Sequence, residues 1–395
     1  MEGWWPMAGG TSLINKTWDD ERLRIERLAH LQDTMRKNNV GGLLLKDWVS
    51  SRYAINTRIP SGLTFVPVEG RCVCFVRPMD DGYVSMIGVE TRPVSYESVQ
   101  AASDPDGGSK LGRWAQSIRA LMDEFGVGGE MLGIDEMEPL STIALDRAGV
   151  QMTNGREILQ QAAAVKTQDE VAIYWEMGKV HSALMQYFWD ELKPGVTETE
   201  MCSRIYSKAI ELGVEDLLQI NVCAGENTWP WRRWPTQRAF HDGEFVGMDL
   251  HTHGPGGYVF DAARTYLCGS HATDRQKELF QRAHEYNNAC IDLMKPGLAI
   301  PDWVESLPRV PERFEEAVYT FHILHSNGLN PGGYPNVVKQ RRPVDDILQE
   351  NQVLSLDCYF AEEGDKEAAK LEELVLITRD GAVKMSDMPY DSHLL

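Results

Sequence analysis

Acidic residues next to apolar, strand-like runs constrain this chain more than any other feature of its sequence. Asp249 and Asp357 each follow such a run directly, and Glu372 stands just before the run 374–377. An isolated charge buried in a strand costs too much free energy to persist, so a carboxylate there must be paired or must coordinate a cation. These three acids are therefore candidates for a functional site.

The segment 247–265 adds further side chains of the metal-ligand type. Asp249 and His251 lie two residues apart on a predicted strand, where alternate side chains share one face. A Gly- and Pro-rich turn follows, and the returning strand carries Asp261. A hairpin with one plain polar face has the same pattern, so this segment alone leaves both interpretations open. The full candidate metal set is Asp249, His251, Asp261, His325, Asp357 and Glu372.

The chemistry of these ligands indicates which ions they would bind. Carboxylates and imidazoles without a thiolate suit Mn, Fe, Co or Zn. The set is large enough for one or two divalent ions, and a two-metal site activates water and polarises the bond that is broken. We expect His325 and Asp357 to take part in catalysis as well as in metal binding.

A second unusual stretch, residues 227–235, is rich in tryptophan and arginine. Tryptophan faces bind quaternary ammonium and other cationic groups, and arginine binds carboxylates through two hydrogen bonds. The combination suits a small zwitterion, although core or dimer packing of the tryptophans explains it equally well. The candidate substrate contacts are Trp229, Trp231, Arg232, Arg233, Trp234 and His322.

Net charge and composition exclude several classes of partner. The 395 residues carry a formal net charge of −20 at pH 7, with a pI near 4.9, so nucleic acid and anionic membranes are excluded as partners. No apolar stretch is long enough to span a bilayer, and the N-terminus lacks the basic and apolar regions of a signal peptide. The seven cysteines form no CxxC motif, so we expect free thiols and a cytoplasmic location.

Hydrophobic periodicity predicts an α+β protein with two domains, divided near residues 155–166. Thr167 and Glu170 form the sequence pattern of a capping box at the start of a long helix. Predicted helices cover 18–39, 112–125, 141–148, 169–191, 197–212, 274–294 and 311–317, and predicted strands of the first half cover 41–45, 63–68, 72–76 and 84–87.

The order of the acids and histidines, with two flanking segments, resembles the pita-bread superfamily. Residues 165–172 are similar to that superfamily's entry into its catalytic domain, and residues 370–381 to its C-terminal signature. Its members include methionine and proline-specific aminopeptidases, prolidases, creatinase, ectoine hydrolase and a dimethylsulfoniopropionate lyase. The resemblance implies a creatinase-type N-terminal α/β domain over residues 1–160, a pita-bread catalytic domain over 161–395, and a homodimer.

Departures from the superfamily pattern leave the reaction open. Asp249 and Asp261 lie twelve residues apart, which is closest to the lyase and ectoine hydrolase-like branch. His251 stands where that branch has a second carboxylate, and an imidazole cannot bridge two ions. Asp357 stands where glutamate is usual. We expect a metal-dependent hydrolase of a small polar C–N substrate, zwitterionic or peptide-like. The alternatives are a metal-dependent lyase, an Xaa-Pro dipeptidase, or a non-catalytic binding protein.

Overall fold

The chain forms two compact units in the computed structural model. One comprises residues 19–163, and the other comprises 164–395 together with the segment that ends at Trp18. The predicted substrate contact His322 lies outside the residues that the structure describes. Those residues are 12–58, 63–85, 87, 89–93, 109–318, 323–329, 331–338 and 346–395.

The smaller unit is an α/β layer structure. Its described strands form a six-stranded mixed sheet in the order β4-β3-β2-β1-β5-β6, covered by helices. The strands are β1 (Val40–Leu45), β2 (Leu63–Pro67), β3 (Val73–Val76), β4 (Glu90–Pro93), β5 (Met131–Ile134) and β6 (Met152–Asn154). The helices are α1 (Asp20–Lys37), α2 (Trp48–Ile55), α3 (Pro78–Ser85), α4 (Ser109–Glu124), α5 (Pro139–Arg147) and α6 (Gly155–Ala164).

Most elements predicted for this unit are confirmed, and one is wrong. The strand expected at 84–87 is wrong because Val84 and Ser85 are the last two residues of α3. A short apolar run does not distinguish a strand from one buried face of a helix, and Val84 is fully buried. The expected domain boundary at residues 160 and 161 lies inside α6.

The larger unit builds an eight-stranded sheet whose described strands follow the order β11-β10-β12-β13-β9-β8-β7, with β14 paired to β13. Its strands are β7 (Asp216–Ala224), β8 (Glu244–His253), β9 (Val259–Cys268), β10 (Leu324–Asn327), β11 (Pro331–Val337), β12 (Val353–Phe360), β13 (Ala369–Thr378) and β14 (Gly381–Lys384). Its helices are α7 (Gln168–Glu191), α8 (Glu198–Glu211), α9 (Asp274–Asp292), α10 (Ile300–Ser306) and the short α11 (Glu315–Val318). The predicted α+β class is confirmed.

The helix that enters this unit begins as the sequence predicts. The Thr167 hydroxyl accepts a hydrogen bond from the Glu170 backbone N–H, and the Glu170 carboxylate accepts one from the Thr167 backbone N–H, which completes the capping box. The inner face of α7 is buried along its length, down to Phe188. The helices α9 and α10 bury a second apolar layer around Phe280 and Trp303. Among the described residues, no helix is both long enough and apolar enough to cross a membrane.

Candidate metal centre

Strand register, rather than loop geometry, brings the predicted acids together. Asp249 on β8 pairs with Ala263 on β9, Ala263 pairs with Glu372 on β13, and Glu372 pairs with Asp357 on β12. Three carboxylates therefore lie in one row across four adjacent strands. The small side chain of Ala263 leaves space in the middle of the row.

The remaining predicted ligands lie beside this row. His251 pairs with Asp261 across the β8–β9 hairpin, and its Nε2 lies 2.9 Å from Asp261 Oδ1 and 3.1 Å from Asp249 Oδ1. His325 on β10 pairs with Ser355 of β12. All six predicted ligands converge, in two overlapping groups that share Asp261: Asp249, His251 and Asp261 in one, Asp261, His325 and Glu372 in the other, with Asp357 adjoining the second.

His325 is the centre of the second group. Its Nε2 lies 3.5 Å from Glu372 Oε1, 3.6 Å from Asp261 Oδ2 and 3.8 Å from Asp357 Oδ2. The side chains of these four residues are between 1% and 6% exposed, whereas that of His251 is 13% exposed. Access from solvent is therefore on the His251 side of the centre.

A lysine that sequence analysis missed lies within the cluster. Lys370 precedes Glu372 by two residues on β13, so both side chains project from the same face. The Nζ of Lys370 lies 2.9 Å from Asp249 Oδ2, 2.8 Å from Asp357 Oδ1 and 3.0 Å from Glu372 Oε2. Its ammonium group supplies the positive charge that this many buried carboxylates require.

The mutual electrostatics divide the four carboxylates into two classes. Burial alone disfavours the charged form of each. For Asp249 and Glu372 burial is the largest influence, but the charge of Lys370 and the neighbouring histidine together outweigh it and lower the pKa, strongly so for Glu372. For Asp261 and Asp357, burial and the neighbouring charge of Glu372 dominate and raise the pKa, strongly so for Asp357.

Both histidines of the centre favour the protonated state. Burial opposes the charge of His325, but its contact with Glu372 and the nearby Asp261 raise its pKa to about 9. Burial also opposes the charge of His251, yet Asp261 and Asp249 raise its pKa well above the ordinary value. An ion that binds here must therefore displace protons from imidazole nitrogens.

A third buried histidine supports the centre from α7. His181 Nε2 lies 2.7 Å from the Thr252 hydroxyl, and the His181 ring packs against Phe260 at a centroid distance of 4.2 Å. Burial lowers the pKa of His181 to about 3. The His181 ring is therefore neutral at physiological pH. The contact with His181 holds Thr252 in place, between His251 and His253 on β8.

The aromatic segment adjoins the centre through one tryptophan. The Trp231 ring centroid lies 5.7 Å from Lys370 Nζ, and the ring packs over Gly247, where a Cβ would approach it to 2.6 Å. Trp229 and Trp231 both pack on Tyr359, at centroid distances of 5.5 and 6.1 Å. Three other predicted substrate contacts, Arg232, Arg233 and Trp234, are exposed, with Trp234 82% accessible.

Glu198, at the start of α8, anchors this segment from within the fold. Its Oε1 accepts hydrogen bonds from the Ala224 backbone N–H and the Asn227 amide, at 2.9 and 2.8 Å. Its Oε2 accepts two more from the backbone N–H and hydroxyl of Thr236, both at 2.7 Å. The carboxylate of Glu198 thus ties together both ends of the stretch that contains Trp231.

The donor set fits a divalent transition ion. Asp261 Oδ2, Asp357 Oδ2 and Glu372 Oε1 belong to buried side chains and lie 3.6, 3.8 and 3.5 Å from His325 Nε2, longer than an ordinary hydrogen bond. Buried oxygens of this kind are acceptors with unused coordination capacity. Together with two imidazoles they form the nitrogen and oxygen ligand set that Mn, Fe, Co and Zn prefer.

Comparison with known proteins decides the family. Residues 172–379, more than half of the chain, match the family described as metallopeptidase family M24. The chain belongs to metallopeptidase family M24. All six predicted ligand positions of this M24 protein lie within the matched residues, and the resemblance to the pita-bread superfamily is confirmed.

Relatives of this M24 protein are named for different reactions. The chain is 25% identical over 403 residues to dimethylsulfoniopropionate lyase DddP from Roseovarius nubinhibens, covering 95% of this chain and 88% of the relative. It is 25% identical over 290 residues to the putative dipeptidase YkvY from Bacillus subtilis, covering 70% and 77%. The structure of an Xaa-Pro dipeptidase from Bacillus anthracis matches with a TM-score of 0.75 at 18% identity, over 93% of this chain and 99% of that one. This likeness confirms the fold, with an N-terminal domain followed by a pita-bread domain.

Proposed function

We propose that this M24 protein is a metal-dependent hydrolase that cleaves a C–N bond in a small polar substrate. One observation carries the proposal: four carboxylates and two imidazoles from five strands converge in one buried cluster. A fold that needed these acids only for solubility would expose them.

We assign the metal ligands as Asp249, His251, Asp261, His325, Asp357 and Glu372. One or two divalent ions of Mn, Fe, Co or Zn, when bound, would lower the pKa of a coordinated water and polarise the substrate bond. The pKa of His325 is raised to about 9, so before an ion binds this histidine holds a proton at neutral pH, and burial together with the charge of Glu372 raises the pKa of Asp357. We assign proton movement during the reaction to these two groups.

We place the substrate on the more exposed, His251 side of the centre. Trp231 and Trp229 offer apolar faces there, and the positive charge of Lys370 lies behind the Trp231 ring. We propose that Arg232 and Arg233 attract the carboxylate of a zwitterionic or peptide-like substrate from solvent. Trp234 and His322 complete the proposed contacts.

A metal-dependent lyase is the second candidate. The observation in its favour is that DddP aligns with 95% of this chain, more than the 70% aligned with the putative dipeptidase. In that case a side chain of the centre would remove a proton from the substrate, and no water would be added. An Xaa-Pro dipeptidase is a specific form of the hydrolase proposal.

The reaction is tested by product analysis in ¹⁸O-labelled water. The metal-reconstituted protein is incubated with prolyl dipeptides, ureido acids and osmolytes including dimethylsulfoniopropionate, and products are identified by NMR and mass spectrometry. A hydrolase transfers solvent ¹⁸O into one product, whereas a lyase yields an unlabelled alkene and a leaving group. Glu372→Gln should abolish turnover, and Asp380→Asn, at an exposed acid of the following turn, should not.

We also propose a homodimer in the cytoplasm. Tyr206, Ile210 and Leu218, on α8 and the edge strand β7, are between 43% and 47% exposed. Clustered exposed apolar side chains are typical of protein interfaces. Light scattering after size exclusion should give twice the chain mass of 44.6 kDa, and Ile210→Glu should shift it toward the monomer.

A further inference from the structure

A lysine ammonium lies among the metal-binding carboxylates of this protein. We propose that Lys370 permanently takes the place of a second metal ion, so that the centre binds one divalent ion, on the His325 side. The proposal rests on the metal centre of the proposed function and specifies its stoichiometry and location.

The ammonium group occupies a position between three acids. Its Nζ lies 2.9 Å from Asp249 Oδ2, 2.8 Å from Asp357 Oδ1 and 3.0 Å from Glu372 Oε2. An ammonium has three N–H groups, so three carboxylates match its capacity. One oxygen of each acid is thereby engaged and is not available to bridge a pair of ions.

Both ends of the Lys370 residue are held in place. The Thr265 hydroxyl accepts a hydrogen bond from the Lys370 backbone N–H at 2.9 Å and donates one to its carbonyl at 3.0 Å. The Trp231 ring packs 5.7 Å from Nζ, and the residue is only 1% exposed. Lys370 therefore has no short path by which its charge could move into solvent when metal arrives.

The oxygens that Lys370 does not contact favour an ion beside His325. Asp261 Oδ2, Asp357 Oδ2 and Glu372 Oε1 lie 3.6, 3.8 and 3.5 Å from His325 Nε2. Ligands at about 2.1 Å from a tetrahedral ion are separated by about 3.4 Å. The observed separations are close to this value, and His325, Asp261 and Glu372 form one group of converging ligand atoms that Asp357 adjoins.

The His251 side is less suited to an ion. His251 Nε2 lies 3.1 Å from Asp249 Oδ1 and 2.9 Å from Asp261 Oδ1, which are hydrogen-bond separations. His251 Nε2 already lies between both acids there, and Asp249 is also held by the ammonium of Lys370. A second divalent ion at this position would be repelled by that ammonium through a low-dielectric interior.

Metal stoichiometry tests the proposal without any substrate. Equilibrium dialysis of the apo protein against Mn²⁺, with elemental analysis, should saturate at about one ion per chain. Lys370→Met should saturate at about two ions, and Lys370→Arg, which keeps the charge, at about one. Two ions in the wild-type protein, or one ion in a folded Lys370→Met variant, would overturn the proposal. If Lys370→Met does not fold, the wild-type and Lys370→Arg values still decide it.

The position of the ion is tested by two matched variants. Asp249→Asn removes a ligand from the His251 side and should still bind one Mn²⁺, whereas Glu372→Gln should lose it. Electron paramagnetic resonance should show an isolated six-line Mn²⁺ signal in the wild type and exchange coupling in Lys370→Met. Loss of the ion in Asp249→Asn would show that the ion does not lie on the His325 side of the centre. Failure of the whole substrate panel would contradict the proposed function but leave these outcomes unaffected.

Discussion

The Nζ of Lys370 lies 2.8 Å from Asp357 Oδ1, between neighbouring strands, where neither residue is more than 8% exposed. A lone acid at the position of Asp357 would carry the full cost of burial. The pair explains how β12 and β13 close over an acidic cluster before any ion binds. It also ties the stability of the apo protein to one lysine.

We predict that Lys370→Met destabilises the apo protein by about 3–5 kcal/mol, because removal of one partner leaves buried charges without compensation. Urea unfolding in the presence of a chelator measures this. Lys366→Met, at an exposed lysine four residues earlier, is the control and should change stability by less than about 0.5 kcal/mol. Equal unfolding midpoints for the two variants would contradict the role of Lys370.

The sequence predicted which acids and histidines come together, because their spacing follows strand geometry. Asp249 and His251 share a face by alternation alone, and Thr167 with Glu170 predicted the start of α7. Lys370 shares a face with Glu372 by the same alternation. A lysine near a strand end is usually exposed to solvent, however, so the sequence did not distinguish Lys370 from an ordinary surface lysine.

Other parts of the site depend on contacts that only the fold creates. Glu198 reads as an ordinary acid in the first turn of a helix, a position that the helix dipole already favours. His181 lies on a helix face without a motif. Their partners, Thr236 and Thr252, are distant in sequence, so no local pattern could reveal either role.

We predict that metal binding at pH 7.5 releases at least about one proton per ion, because His325 holds a proton until its pKa of about 9. Calorimetric titration in two buffers of different ionisation enthalpy measures the release. The number of protons released per ion should fall once the pH exceeds the pKa of His325. A histidine with the ordinary pKa of about 6.5 would release almost none at pH 7.5, so identical heats in both buffers would contradict the raised pKa.

We predict that His181→Asn flattens the acid dependence of stability. The folded pKa of His181 is about 3, and its unfolded pKa is near the ordinary 6.5. The unfolded state therefore binds an extra proton below pH 6.5, and stability falls by up to about 1.4 kcal/mol per pH unit as pH drops toward 3. Above pH 6.5 the contribution of His181 to the free energy of unfolding no longer changes with pH.

Urea unfolding of the apo protein between pH 4.5 and 8 measures this slope for the wild type and for His181→Asn. The variant keeps a polar group near the Thr252 hydroxyl, so its fold should persist. Parallel stability curves for the two proteins would show that His181 titrates normally.

We predict that Glu198→Gln loosens the segment that carries Trp231. The amide replaces one acceptor oxygen by a donor, so at least one of four hydrogen bonds is lost, at a cost of about 1–3 kcal/mol. Tryptophan fluorescence should shift to longer wavelength. Glu200→Gln, two residues further along α8, retains the acceptor of its capping box and should leave the fluorescence unchanged.

The central claim is that this chain holds a divalent metal ion on its own buried acids and histidines. Elemental analysis of protein prepared without chelators, and again after addition of Mn, Fe, Co or Zn, tests it most directly. We expect about one ion per chain in the wild type, and loss of the ion in folded Asp261→Ala and Glu372→Ala variants. Fewer than about 0.2 ions per chain with no gain on metal addition, or full metal content in both variants, would contradict it.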